Sequence, residues 1–274
     1  MSLEKRLVCA HREWLGGFEP QHLKAWTDNL AADPEAALCE ASVRDVMQGF
    51  GFTVEPVADL IGQGTKGALQ RPDFRCSKET DAFYVEVANV SIAKATELTN
   101  LPHPEQPGTR NYAKLTKAVF AKATGKATQC DQDLPTLLAV GTFHTTASHL
   151  ALDRLCANSL LTGEAMITWN VDTRTGLSVG DTYQSTNLKY ASFIKPGDCS
   201  IINARTSISG ILLCGFGLFP ASIIGVLHPE ADRPFKPELL PRIEFGRVRI
   251  DHERRRLVAV WPETNEQGFD GSIR

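Results

Sequence analysis

Two acidic residues stand out in the stretch RPDFRCSKETDAFYVEVANV, residues 71–90, because their surroundings suggest chemistry. Asp73 follows a proline at the start of a short apolar run, and Glu86 lies inside the run FYVEVANV, which carries no other charge. Successive residues of a strand face opposite sides, so Glu86 is expected to share a face with Ala88. Two carboxylates that converge in a partly buried place repel each other, and the pKa of at least one would rise.

A divalent cation would remove this repulsion. Mg²⁺ binds a few carboxylate oxygens, keeps several waters and takes its remaining ligands from substrate phosphate. Such an ion makes a nucleophile from water and stabilises the leaving oxygen of a phosphodiester. Asp73 and Glu86 therefore predict a Mg²⁺ site, with Mn²⁺ as a substitute, provided that the fold brings the two carboxylates together.

The elements around these acids are predicted to do so. PDFRC and AFYVEVANV predict two strands joined by the short polar turn SKETD, and in such a hairpin Asp73 can lie close to Glu86. Residues 1–34 are predicted to be helical, and Asp33 is the expected N-cap of a further helix that carries Glu40 near its apolar side. FTVEPVADLI then begins a strand.

The rest of the chain continues this alternation of helices and strands. A helix is predicted over 111–130, TLLAVGTF predicts a strand covered on both faces, ASHLALDRLCANSLL a helix, and AMITWNVD a strand. The C-terminal third is β-rich and ends in a hairpin around Asp251. The prediction is an α/β fold, a mixed sheet flanked by helices, divided into an N-terminal helical segment (1–34), a core (35–165) and a β-rich C-terminal extension packed on that core (166–274).

Pro72-Asp73 and, after twelve intervening residues, Glu86-Val87-Ala88 on the next strand resemble the signature of the PD-(D/E)XK, or restriction-endonuclease-like, nuclease superfamily. The resemblance covers about residues 36–145. It implies a restriction-endonuclease-like mixed sheet and Mg²⁺-dependent hydrolysis of phosphodiester bonds. It also implies that Asp73, Glu86 and the carbonyl of Val87 bind the metal, while Glu40 assists directly or through water.

The chain departs from the superfamily at one position. Members carry a lysine where this chain has Ala88, and that lysine orients the attacking water and helps to deprotonate it. Some members carry the lysine elsewhere, with its ammonium reaching the same point. The favoured candidate is Lys126 together with Gln129, because KATQ looks like the K-x-x-Q of several members. Lys122, at helical spacing from Lys126, is the second candidate. Lys94 is the third.

The predicted partner is nucleic acid, DNA ahead of RNA, and cutting both strands of a duplex favours a homodimer. The net charge of −3 provides no global attraction for a polyanion, but Arg71 and Arg75 flank Asp73. Two alternatives remain open. One is a non-catalytic module that uses the same fold to bind nucleic acid or protein, as the missing lysine suggests. The other is an unrelated α/β enzyme in which the two acids are far apart.

Several further patterns fail on context. GQGTKG, residues 62–67, matches a dinucleotide-binding pattern, but Pro72 arrives too soon for the helix that this motif needs. Residues 208–227 carry no charge over a length that could span a bilayer, yet four glycines and Pro220 favour two buried strands and no membrane partner. Seven scattered cysteines and no apparent signal peptide predict reduced thiols and a cytoplasmic location.

Overall fold

The computed structural model describes residues 2–57, 71–99, 113–150, 154–198, 200–218, 220–251 and 256–262. The predicted GQGTKG loop and the proline-rich segment 101–110 lie outside the described residues. The fold is mixed α/β, with a large mixed sheet flanked by helices. No helix in the described part of the chain combines the length and the apolar character needed to cross a membrane.

Three helices come first, namely α1 (Leu3–Leu15), α2 (Pro20–Ala32) and α3 (Pro34–Gly49). The predicted cap is confirmed, because a side-chain oxygen of Asp33 accepts a hydrogen bond from the Ala36 N–H at 3.0 Å and Pro34 takes the first helical position. Gly51, with φ of 84°, follows the end of α3 in the left-handed region that glycine adopts without steric cost.

The remaining elements follow in an order that places most strands in one sheet. The next helices are α4 (Ile92–Thr99), α5 (Ala113–Lys126), α6 (Thr145–Leu150) and α7 (Arg154–Thr162). The strands are β1 (Thr53–Pro56), β2 (Phe74–Lys78), β3 (Asp81–Asn89), β4 (Thr136–Thr142), β5 (Glu164–Val171), β6 (Ser178–Asn187), β7 (Ile194–Pro196), β8 (Ile201–Asn203), β9 (Gly210–Gly215), β10 (Ser222–Leu227), β11 (Glu244–Asp251) and β12 (Arg256–Val260). Among the described residues, the main sheet has the order β1-β2-β3-β4-β9-β10-β11-β12.

The predicted hairpin is confirmed, because β2 and β3 pair antiparallel with Phe74 opposite Val85. β3 then pairs parallel with β4, and β4 pairs parallel with β9. Every residue of β4 is buried, as predicted for a strand covered on both faces. The strand that carries Glu86 is therefore an interior strand of the sheet, with a paired neighbour on each side.

Two apolar clusters cover the opposite faces of this sheet. Ala88 belongs to the cluster that includes Val119 of α5, whereas Val85 and Val87 belong to the cluster that includes Met47 of α3. The alternation predicted for β3 is therefore confirmed. α3 and α5 lie on opposite faces of the sheet, and Glu86 faces the side of α5.

The C-terminal third contributes strands to the same sheet. Residues 208–227 contain the antiparallel strands β9 and β10, as predicted, and β11 and β12 continue the sheet beyond them. The predicted C-terminal hairpin is formed by β11 and β12, with residues 252–255 outside the described part. The region predicted as an extension packed on the core thus supplies four strands of the core sheet itself. β5 pairs with β6, and β7 with β8, in separate two-stranded sheets.

The described cysteines are free thiols, and Cys199 lies outside the described residues. All of them except Cys9 are buried. Burial raises the pKa of Cys39, Cys76 and Cys130, which keeps these thiols protonated and unreactive.

The cap of α3 gives a test of the fold around the site. Asp33→Ala removes the acceptor for the Ala36 N–H and should lower the free energy of unfolding by about 1 kcal/mol, measured by urea denaturation. Asp33→Asn keeps a good capping side chain and should stay within a few tenths of a kcal/mol of the parent chain. Equal losses in the two variants would contradict the capping role.

Candidate active site

Strand β3 extends beyond the first residue of its neighbour β2, and the site lies at the part of β3 that β2 does not pair. β2 starts at Phe74, opposite Val85, so the N–H of Val87 has no partner in the β2 ladder. It donates instead to Asp73 Oδ2, at 2.7 Å. The N–H and C=O of one strand residue point to the same edge, so the Val87 carbonyl faces the edge where Asp73 lies. The hairpin therefore brings Asp73 to the backbone next to Glu86.

Glu86 is a carboxylate in the interior of the fold, with 1% of its surface exposed. Lys126, the last residue of α5, places its ammonium Nζ 2.6 Å from Glu86 Oε1. A buried charge is costly unless it is paired, so this ion pair is what allows a carboxylate at this position of an apolar strand. Burial by itself lowers the pKa of Lys126, but the charge of Glu86 and the hydrogen bond to it outweigh burial and raise that pKa.

Glu40 lies on α3, the helix that packs on the opposite face of the sheet from α5. Its Oε1 accepts a hydrogen bond from Asn29 Nδ2 at 2.8 Å. Its pKa is raised well above the usual value, first by burial and then by the negative charges of Asp73 and Glu86, against the opposing effects of Lys126 and Asn29. The charges of Asp73, Glu86 and Lys126 therefore all affect the pKa of Glu40, so the four groups form one electrostatic site.

The three candidate lysines have different surroundings in the structure. Lys126 reaches Glu86, the Lys122 side chain is exposed on the same helix, and Lys94 forms an exposed ion pair with Glu97 at 2.8 Å. The predicted helix over 111–130 is described from Ala113 and ends at Lys126, so Gln129 lies in the turn that follows. Gln129 still lines the same cavity as Asp73 and Glu40.

One residue of the site carries no recognisable signal in the sequence. Asn29 holds the carboxyl of Glu40, yet it lies in the middle of the predicted N-terminal helical segment, far from the motif. Its only hint is chemical, because asparagine has a low helix propensity and needs a reason to occupy a helix. The flanking residue Arg75 is engaged elsewhere, in an ion pair with Glu55 at 3.1 Å.

The residues at this edge offer oxygen atoms, from two carboxylates and one carbonyl, of the type that Mg²⁺ binds. Mg²⁺ is commonly bound through one or two carboxylates and otherwise by water and substrate phosphate, which matches Asp73, Glu86 and the carbonyl of Val87. Within the described ranges, no group of three or more His, Cys, Asp or Glu side chains is arranged to hold a metal ion.

Comparison with models of protein families, with curated proteins and with solved structures finds no match to the chain. The function is therefore inferred from the site. Outside this site, His144 caps the start of α6, since its Nδ1 accepts a hydrogen bond from the Ala147 N–H at 3.0 Å.

The raised pKa of Glu40 predicts a pH-dependent stability. The folded chain holds a proton on Glu40 at pH values where the unfolded chain, with the ordinary value of 4.5, has lost it. The contribution of Glu40 to the free energy of unfolding should therefore fall as pH rises from 4.5 towards the raised pKa. Glu40→Gln cannot titrate, so its stability relative to the parent chain should increase with pH over that range and differ least below 4.5.

Urea denaturation in EDTA at a series of pH values measures this effect. The matched control is Glu13→Gln, which changes an exposed glutamate of α1 and should leave the pH profile of the parent chain unaltered. Parallel pH profiles for Glu40→Gln and the parent chain would show that the pKa of Glu40 is not raised in the folded chain.

Proposed function

We propose that this chain is a Mg²⁺-dependent nuclease, of the restriction-endonuclease-like kind, that hydrolyses phosphodiester bonds of DNA. The observation that supports this most directly is the 2.6 Å contact between the Lys126 ammonium and the Glu86 carboxylate. Ala88 leaves the lysine position of the PD-(D/E)XK signature empty on the strand, and Lys126 brings an ammonium to the same face from α5.

In this proposal Asp73, Glu86 and the Val87 carbonyl hold the cation. When bound, Mg²⁺ activates a water and stabilises charge on the leaving oxygen of a phosphodiester. Lys126 positions that water and adds positive charge beside the phosphate. Because the pKa of Lys126 is raised, its side chain remains an ammonium and acts as a hydrogen-bond donor rather than as a general base.

The backbone contributes to this arrangement by fixing Asp73. The 2.7 Å hydrogen bond from the Val87 N–H holds one carboxylate oxygen of Asp73, which limits the rotation of the side chain. Glu86 is held by the sheet, and Glu40 by Asn29. Reacting groups that are already positioned lose little entropy when the substrate binds, which lowers the barrier to reaction.

The first test of this proposal is the lysine. Lys126→Met should reduce the single-turnover rate of Mg²⁺-dependent DNA cleavage by about 100-fold or more, since a positioned catalytic side chain contributes on that order. Lys114→Met removes an exposed lysine from the first turn of the same helix and should retain the rate of the parent chain. Cleavage at the parental rate by Lys126→Met would remove Lys126 from the mechanism.

The second test is metal binding, which also distinguishes a nuclease from a non-catalytic module. Calorimetry should detect Mg²⁺ or Mn²⁺ binding to the parent chain, and both Asp73→Asn and Glu86→Gln should abolish that binding together with cleavage. Glu97→Gln, an exposed glutamate on α4, is the control and should bind as the parent chain does. A parent chain that takes up neither ion would instead favour the non-catalytic alternative.

A further inference from the structure

A cavity of about 430 Å³ opens directly beside the proposed reaction centre. It lies between the N-terminal helices α1 and α2 and the start of β2. Asp73, Glu40 and Gln129, three residues of the proposed site, form part of its wall. A volume in this range is typical of sites for small molecules and is far too small for a segment of double helix. Any group seated in the cavity would therefore lie next to the scissile bond without being part of a duplex.

The wall of the cavity combines amide groups with apolar surfaces. Asn29 donates its Nδ2 to Glu40, which fixes the orientation of the amide, and its Oδ1 accepts no hydrogen bond from a described residue. Gln129 adds a second amide, and Ala25, Pro72 and the edge of Trp26 provide apolar contacts. Amides that read a base edge, next to apolar or aromatic surfaces that cover the base, are how proteins hold an unstacked nucleobase.

Positive charge at the cavity comes from Arg71, and His22 of α2 adds an imidazole to the same lining. A guanidinium is a strong partner for phosphate, and Arg71 brings one to the wall of the cavity. Arg71 also precedes Asp73 by two residues. A phosphate bound by Arg71 would therefore lie close to the metal-binding edge, as the backbone of a cut strand requires.

The lining of the cavity includes His11, which carries a buried polar atom without a hydrogen-bond partner among the described residues. His11 has 1% of its surface exposed, and its Nδ1 makes no hydrogen bond to a described residue. Its ring packs on Trp26, with ring centroids 4.6 Å apart. Burial, assisted by the charge of Arg44, lowers the pKa of His11 to about 3, so the ring is neutral. The neutral ring of His11 adds no charge to the wall of the cavity.

We infer that this cavity receives one unpaired nucleotide of the strand that is cut, so that the enzyme acts on single strands, flaps or strand ends in preference to continuous duplex. The inference rests on the proposed function, because the phosphodiester bond next to the seated nucleotide is the one placed at Asp73 and Glu86. It adds to that function the substrate class and the residues that select it.

The test fills the cavity without changing the proposed metal ligands. Ala25 lines the mouth of the cavity and is exposed, so Ala25→Trp should obstruct the cavity without disturbing the core. The matched control is Ala31→Trp, which adds the same side chain at an exposed position near the end of α2, away from the cavity. Both variants should bind Mg²⁺ as the parent chain does in calorimetry.

Two measurements are then made on these proteins. In EDTA, fluorescence anisotropy with a labelled single-stranded 12-mer should show a Kd raised about tenfold or more by Ala25→Trp and unchanged by Ala31→Trp, because the contacts of one nucleotide are lost. With Mg²⁺, the parent chain should cleave the single strand and a flap of the same sequence faster than the fully paired duplex.

The outcomes separate the inference from the proposed function. Equal affinity of Ala25→Trp and the parent chain for the 12-mer, or equal cleavage of duplex and single strand, would overturn the nucleotide pocket while leaving the nuclease intact. Absence of cleavage of every substrate would overturn the nuclease proposal. The anisotropy measurement would then still decide whether the cavity holds a nucleotide, because it requires no cleavage.

Discussion

The site depends on one physical constraint, which is that the carboxylate of Glu86 is enclosed by the fold and needs a positive charge within reach. A carboxylate with 1% of its surface exposed is poorly solvated, and the Lys126 ammonium at 2.6 Å compensates for that loss. This requirement fixes where α5 must end on the sheet. Small residues make the approach feasible, because Ala88 of β3 and Ala123 of α5 are both buried in the cluster between the two elements.

The opposite face of the sheet is equally specific. Gly141 of β4 lies under α3, and a Cβ at that position would collide with the sulfur of Cys39 and with the ring of Phe216. The absence of a side chain lets α3 approach the sheet closely at the residue before Glu40. The same approach brings the Glu40 carboxyl within the electrostatic influence of Asp73 and Glu86. Backbone and side-chain sizes thus determine the ionisation of the site.

Much of this arrangement could be predicted from local patterns in the sequence. The alternation within FYVEVANV predicted which face Glu86 occupies, and the Asp33-Pro34 pair predicted the start of α3, because both depend on neighbouring residues only. The choice between Lys122 and Lys126 could not be made in the same way. Both lie at helical spacing, and only the docking of α5 and its end at Lys126 distinguish an exposed side chain from one that meets Glu86.

Long-range packing explains what the sequence did not predict. The cavity is formed by helices at the N-terminus and by the start of β2. Because these segments are about fifty residues apart in the chain, no local sequence motif predicts the cavity. The strand order has the same origin. β9 inserts beside β4 although β5 to β8 intervene along the chain, and nothing in the sequence of β9 alone specifies its neighbour.

The ammonium of the site comes from α5 and not from the strand that carries Glu86. This position of the lysine in the chain has a consequence during synthesis. The hairpin that carries both acids is complete at Asn89, whereas the lysine is contributed by residue 126 and needs its helix to dock on the sheet. A nascent chain that has emerged only as far as the hairpin holds acidic groups but lacks their cationic counterpart. In the proposed nuclease, a fragment that ends before residue 126 would carry both acids without the lysine, and we expect it not to cleave DNA.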